Sequence, residues 1–241
     1  MFISVRYLHN NLGVDETIAR FFVDRKVPQD SSFWKNRLLY VGRGNGYISI
    51  PVYYDLLFRI GLPRELLLDE SHVHFMEQLM HYAILVEFKE IIFPFQLQKI
   101  KELLIDRIKD QAFFDELFEY LSQPVLEPSG RLGMPVPSLN RADVFLFILC
   151  DLPMTESQIE QAIEYWYALH TSYLLMDDIY DYKMDQQDKE ENSVIELGAA
   201  QDGFERAFAL LDHNIKKLTT INPSLSQNFE ESLEGLHELI Q

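Results

Sequence analysis

The sequence predicts an all-α protein, because apolar residues recur at helical spacing over most of the chain. Residues 65–92 and 95–122 show this pattern most clearly: each has charged residues along its outer face and contains neither Gly nor Pro. Only two other stretches, 41–54 and 123–140, interrupt the pattern with clustered Gly or Pro. We therefore expect a single helical domain over residues 1–241.

Three further helices are predicted in the second half of the chain. Thr155 and Gln158 form a capping-box pattern, and the helix that they begin is expected to run to about Tyr182. Residues 202–219 and 223–240 have helical periodicity as well. The last of these helices is expected to begin with Asn222 as its N-cap and Pro223 as its first residue.

The two interruptions have different compositions. Residues 41–54 (VGRGNGYISIPVYY) contain three glycines and then alternating apolar residues, which indicates a short hairpin or an extended loop. Residues 123–140 contain four prolines and two glycines, too many for a helix. This second stretch is either a sub-domain boundary or a long connection between helices.

The charge balance limits the partners. Lys and Arg total 21 against 38 Asp and Glu, so the net charge is −17 and the chain should repel nucleic acids and anionic lipid surfaces. The sequence contains no run of 18 apolar residues, so no membrane span is expected. The first residues do not resemble a signal peptide. With Cys150 as the single cysteine, a reducing cytoplasm is the expected location.

One face of the helix after Thr155 leads from apolar residues into carboxylates. At 100° per residue, six side chains lie within about 40° of one line: Ile159, Ile163, Trp166, His170, Tyr173 and Asp177. Asp181 follows one turn later, and Asp178 lies at the edge of the same face. We therefore expect two or three carboxylates to point inward.

Ionised carboxylates that are buried together require a compensating positive charge. Lys183 and Lys189 are the only basic residues between Asp177 and Glu205. A divalent cation is the remaining candidate, and Mg²⁺ is suited to one or two carboxylates completed by water and phosphate oxygens. The sequence thus predicts a Mg²⁺ site at Asp177, Asp178 and Asp181, with Asp185 or Asp188 as additional candidate ligands. Glu190 and Glu191 are expected to be solvated.

The segment HTSYLLMDDIYD, with its DDxxD pattern at 177–181, resembles the aspartate-rich helix of the isoprenoid diphosphate synthases (polyprenyl synthetases) and the related class I terpenoid synthases. The resemblance covers about residues 155–215 and implies an isoprenoid-synthase-like helical bundle. It also implies Mg²⁺-dependent prenyl transfer or cyclisation on an allylic isoprenoid diphosphate. The alternative is a non-catalytic helical protein of the same fold that lacks one metal-binding face. A homodimer is compatible with either interpretation, and no catalytic or substrate-binding residue is assigned.

Prenyltransferases of this family carry two aspartate-rich motifs on facing helices, whereas this chain shows one, which matches either the first or the second. If it is the second, the facing helix should lie near 75–92, where only Glu87 and Glu90 are available and are expected to be structural. Three residues also match the spacing of the second metal motif of terpene cyclases, although chance explains them better: Asn222, Ser226 and Glu230. Arg131 and Arg141 are the candidates for gripping a diphosphate.

The remaining chemistry-bearing residues are expected to be structural. His72 and His74 point about 200° apart on a helix and so cannot chelate one ion together. His81 and His170 lie on apolar faces, which favours core histidines over catalysts. Cys150 is flanked by apolar residues, which favours an inert buried thiol, and the glycine-rich stretch 42–46 is expected to form a turn.

Overall fold

The computed structural model describes residues 4–26 and 48–240, and 74% of these residues are helical. The α-helices are α1 (Val5–Asn10), α2 (Glu16–Asp24), α3 (Ser49–Arg59), α4 (Arg64–Leu67), α5 (Glu70–Glu87), α6 (Phe93–Leu104), α7 (Gln111–Leu121), α8 (Glu156–Asp188), α9 (Ser193–Leu197), α10 (Ala200–Thr219) and α11 (Pro223–Ile240). Two 3₁₀ helices span Pro137–Asn140 and Asp143–Asp151. Within these described ranges no strand is present, which confirms the all-α prediction.

The caps that the sequence predicts for α8 and α11 are present. The Oγ1 atom of Thr155 accepts a hydrogen bond from the backbone N–H of Gln158 at 3.3 Å, and the Gln158 side chain accepts one from the Thr155 N–H at 3.0 Å. Asn222 accepts a hydrogen bond from the Leu225 N–H at 3.1 Å, at the start of α11. Helix α8 continues past Tyr182 and ends at Asp188.

Each of the two long helical patterns, 65–92 and 95–122, contains two helices instead of one. Asp69 begins α5 by accepting hydrogen bonds from the N–H groups of Ser71 and His72 at 3.0 and 3.2 Å. Asp110 begins α7 by accepting one from the Phe113 N–H at 3.0 Å. An aspartate inside a periodic segment can therefore start a new helix, because its carboxylate satisfies N–H groups that have no partner in the first turn.

The prediction of a hairpin or extended loop near 41–54 was wrong for the part that is described. Residues 49–54 form the start of α3, in which every residue from Ser49 to Leu57 is buried. A helix that is buried on all sides has no polar face, and its apolar run then resembles a strand. Pro51 lies in the first turn, where its missing N–H removes no helical hydrogen bond. Residues 41–47 lie outside the described residues.

Helix α8 contacts α3, α9, α10 and α11, while the Asp143–Asp151 helix contacts α5, α6 and α7. The stretch 123–140 forms an irregular connection that ends in the first 3₁₀ helix. Buried apolar residues on both sides of this connection belong to one core. In residues 4–26 and 48–240, no helix combines the length and the apolar run that crossing a bilayer requires.

Candidate functional site

A cavity of about 640 Å³ lies beside α8. Trp166, His170, Leu174 and Asp177 follow one another along its α8 wall. Asp177 follows Trp166 by eleven positions, which corresponds to about 16 Å of helix. The opposite walls come from α3, α5, α6 and the Asp143–Asp151 helix, and most of their side chains are apolar: Ile50, Leu79, Ala83, Ile84, Phe93 and Phe145 are examples.

Three stacked rings form one wall of this cavity. The ring centroids of Phe145 and Trp166 lie 5.3 Å apart at an interplanar angle of 14°. The ring of His170 also stacks on Trp166, and their ring centroids lie 4.5 Å apart at an interplanar angle of 7°. The seam on α8 was predicted from the sequence, but Phe145 could not be placed opposite it because it lies on a different element.

Asp143 holds the Trp166 ring from behind and is completely buried. Its Oδ1 accepts a hydrogen bond from Trp166 Nε1 at 3.0 Å, and its Oδ2 accepts one each from the hydroxyls of Tyr120 and Tyr167 at 2.8 Å. Burial raises the pKa of Asp143 to about 6, although the three hydrogen bonds act in the opposite direction. Asp143 could not be recognised from the sequence, since nothing in the pattern of the chain pairs it with Trp166.

Two polar side chains on the cavity wall have buried atoms without hydrogen-bond partners. Among residues 4–26 and 48–240, both ring nitrogens of His170 find no hydrogen-bond partner, and neither does the Nε2 atom of Gln96, a residue that is 1% exposed. Burial, followed by the nearby charge of Arg141, lowers the pKa of His170 to about 3. The imidazole is therefore neutral at physiological pH.

Charged residues surround the outer end of the cavity. Glu87, Arg141, Asp177 and Glu191 all contribute to its lining, and we call these four residues the rim. Partial desolvation beside the cavity and the adjacent carboxylates of Asp181 and Asp178 raise the pKa of Asp177, although its side chain is exposed. Burial is also the main cause of the raised pKa of Glu191. With three acidic groups and one basic group, the rim carries a net negative charge when ionised.

The structure separates the three aspartates of the DDxxD pattern. Asp178 is 3% exposed, and its Oδ1 accepts a hydrogen bond from Arg141 Nη2 at 3.0 Å. Its Oδ2 accepts hydrogen bonds from the N–H and the hydroxyl of Ser193 at 2.9 and 2.5 Å. Asp178 therefore fastens α9 and Arg141 to α8, and both of its oxygens are already engaged.

Asp177 and Asp181 lie on a different side of α8 and are more accessible. Asp177 is exposed and Asp181 is partly buried, and both also line a second cavity of about 480 Å³ next to α1 and α11. In the part of the chain that the structure describes, no group of three or more His, Cys, Asp or Glu side chains is arranged to hold a metal ion. A joint Mg²⁺ site at the three aspartates therefore stays a prediction.

Of the two arginine candidates, Arg141 lies at the aspartates and Arg131 does not. Arg131 pairs with Glu116 and Glu156 at 2.8 and 2.6 Å. The residues with terpene-cyclase spacing are explained by packing: Asn222 caps α11, the Ser226 hydroxyl lies 2.7 Å from that of Thr219, and Glu230 is exposed.

The other candidates have structural surroundings. His72 is buried with its Nδ1 atom 3.0 Å from Asp151. Cys150 is buried, and burial raises the pKa of its thiol. Asp185 accepts a hydrogen bond from Asn192 Nδ2 at 2.8 Å, while Asp188 and Glu190 are exposed.

Comparisons of the chain with protein families, with curated proteins and with solved structures found no match.

Proposed function

We propose that this chain is a helical protein that binds the apolar chain of a small molecule, of the isoprenoid class, in the cavity beside α8. In this proposal the chain acts as a binding protein and not as a synthase. The proposal thus follows the non-catalytic alternative drawn from the sequence and adds a bound ligand to it. The observation that carries the proposal is the cavity itself: a largely apolar space beside about 16 Å of α8, with charged residues at Asp177.

The dimensions and the lining of the cavity suit such a ligand. Its volume of about 640 Å³ lies within the range of roughly 300–1,000 Å³ that is common for small-molecule sites. The stacked rings of Phe145, Trp166 and His170 give the cavity wall an aromatic section against which a hydrocarbon chain can pack. The choice of isoprenoid among apolar chains rests on the resemblance of the segment around Asp177 to the isoprenoid synthases.

The position of Asp178 favours binding over diphosphate chemistry. Its carboxylate would have to leave Arg141 and Ser193 before it could bind a metal ion, and this would strand a partly buried cation and two donors. The proposal therefore assigns Asp178 to the architecture of the site. The ligand's polar end would lie at the rim.

A second candidate is the Mg²⁺-dependent prenyl transfer or cyclisation that the resemblance implies. The observation in its favour is that Asp177 and Asp181 line one cavity, and that desolvation together with the Asp181 carboxylate raises the pKa of Asp177. Two carboxylates with water and diphosphate oxygens are compatible with Mg²⁺. This candidate requires Mg²⁺ and a prenyl diphosphate to bind cooperatively.

A fluorescence titration tests the binding function directly. The chain has two tryptophans, Trp34 and Trp166. The variant Trp34→Phe therefore leaves Trp166, in the cavity wall, as the only indole. Adding farnesol, a neutral isoprenoid alcohol, should change the emission of Trp166 saturably, because a ligand in the cavity changes the surroundings of the stacked rings. A titration without a saturable change would refute the proposal.

Farnesyl diphosphate separates the two candidates. Measured with and without Mg²⁺, its affinity should change by less than about threefold if the chain is a binding protein, and release of pyrophosphate should be absent. A gain in affinity of tenfold or more with Mg²⁺, lost in Asp177→Asn, together with pyrophosphate release, would establish the second candidate instead.

A further inference from the structure

Gln96 and His170 distinguish this cavity from a purely apolar channel. Gln96 is 1% exposed, its Nε2 atom has no hydrogen-bond partner, and the side chain belongs to the cavity wall on α6. His170 lies on the α8 wall of the same cavity with both ring nitrogens unpartnered. The two groups are therefore on separate elements that enclose one space.

Buried donors without partners are uncommon in proteins, because each loses its hydrogen bonds to water on folding. His170 is neutral, since burial and Arg141 lower its pKa, and so it offers one N–H donor and one acceptor nitrogen. Gln96 offers an amide donor. Because these nitrogens have almost no exposed surface, both side chains must turn toward the cavity before an oxygen atom there can accept their hydrogen bonds.

The position of His170 on α8 sets the distance between this polar point, formed by Gln96 and His170, and the rim. His170 precedes Asp177 of the rim by seven residues, which corresponds to about 10 Å along α8. The walls around it are apolar, with Leu174 between His170 and Asp177 on the same face. An apolar section therefore separates this polar point from the rim.

We infer that the ligand is an oxygenated apolar chain, with a hydroxyl or carbonyl group in its buried part that hydrogen-bonds to Gln96 and His170. This inference rests on the proposed function and adds the chemical class of the ligand. A chain consisting only of hydrocarbon would leave both side chains unpartnered, and a site built around polar groups discriminates against such a ligand.

The test compares farnesol with farnesene, an isoprenoid hydrocarbon of the same carbon number, by displacement of a fluorescent apolar probe. The ratio of their dissociation constants is measured in the parent, in Gln96→Leu and in His170→Phe, which keeps a ring on Trp166. Gln98→Leu makes the same change at an exposed position of α6 and serves as the matched control.

In the parent and in Gln98→Leu the ratio should favour farnesol equally. In Gln96→Leu it should move toward farnesene by about tenfold, and in His170→Phe in the same direction. Without ligand, Gln96→Leu should melt no lower than the parent, because it removes a buried unpartnered amide.

The failures of the two proposals are distinguishable. If both ligands bind and all four ratios agree, the inference about oxygen is overturned, whereas the binding function stands. If neither ligand displaces the probe from the parent, the proposed function fails and the inference fails with it.

Discussion

Adjacent aspartates on one helix have different roles in this protein. Asp177 and Asp178 point about 100° apart on α8, so they face different surroundings. Asp178 is buried against Arg141 and Ser193, while Asp177 is exposed at the rim. The sequence predicted that carboxylates interrupt an apolar seam, but not which of them has a protein partner. That depended on Arg141 and Ser193, which lie outside the helix.

The two aspartates should respond differently to loss of charge. Asp178→Asn leaves the partly buried Arg141 without its counter-charge, so we expect a loss of about 2 kcal/mol in the free energy of unfolding. Asp177→Asn removes a charge that Asp181 and Asp178 repel, so its stability should equal or exceed that of the parent. Urea denaturation at pH 7 without divalent cations measures both variants. Equal losses would contradict the assignment of Asp178 as the structural member of the pair.

Asp143 should make the protein more stable in mild acid. Its pKa of about 6 in the folded protein lies above its ordinary value of 3.8, so the folded state takes up a proton first as the pH falls. The resulting stability is fully present below the unfolded-state pKa and is lost as the pH rises through 6. Between pH 7 and pH 5 we expect a gain of about 1 kcal/mol from this group.

The contribution of Asp143 can be isolated with Asp143→Asn. The difference in unfolding free energy between pH 5 and pH 7 is measured in parent and variant, which cancels the raised pKa values of Asp177 and Glu191 that both share. The variant's pH dependence should lack the gain. An identical pH dependence in both proteins would mean that folded Asp143 does not take up a proton between pH 7 and pH 5.

At the scale of elements, the sequence predicted helices that have one apolar face and a recognisable cap. Helices α8 and α11 are examples, with Thr155 and Asn222 at their N-termini. Helix α3 was misjudged because it is buried on all sides, and its packing comes from the rest of the chain. The short α9 was missed because five residues contain too little periodicity, and it is fixed by hydrogen bonds from Ser193 to Asp178.

The joint between α9 and α10 depends on the small size of Gly203. A Cβ atom there would lie 2.3 Å from the backbone oxygen of Val194, which cannot move aside without displacing α9. We therefore expect Gly203→Ala to lower the free energy of unfolding by about 2 kcal/mol. Gly235→Ala in α11 is the matched control, because its Cβ would meet no atom within 4 Å. It should raise stability by about 0.5–1 kcal/mol through helix propensity.

Thermal unfolding of the two glycine variants checks this account of the joint. Opposite shifts in melting temperature are expected. Were Gly203→Ala to melt at or above the parent temperature, the close approach of α9 and α10 would not be a feature of the folded protein.

At the scale of the whole molecule, the cavity combines one predicted wall with several that could not be predicted. The seam along α8 followed from spacing alone, and it correctly placed Trp166 and His170 on one face. The facing wall is assembled from α3, α5, α6 and the Asp143–Asp151 helix. Periodicity within a segment does not specify which segments meet, so Gln96 and Phe145 could be recognised as site residues only from the fold.

If an isoprenoid chain occupies the cavity beside α8, a side chain that fills this cavity should prevent binding. Ala83→Phe places a ring in the α5 wall, whereas Ala112→Phe makes the same change at an exposed position of α7. Both variants are first compared with the parent without ligand, by circular dichroism and melting temperature, to confirm that they fold.

The decisive measurement is the rise in melting temperature that saturating farnesol produces in each protein. We predict a rise of about 5 °C in the parent and in Ala112→Phe, and a rise of less than about 1 °C in Ala83→Phe. Equal rises in all three proteins would place farnesol outside the cavity and would contradict the account.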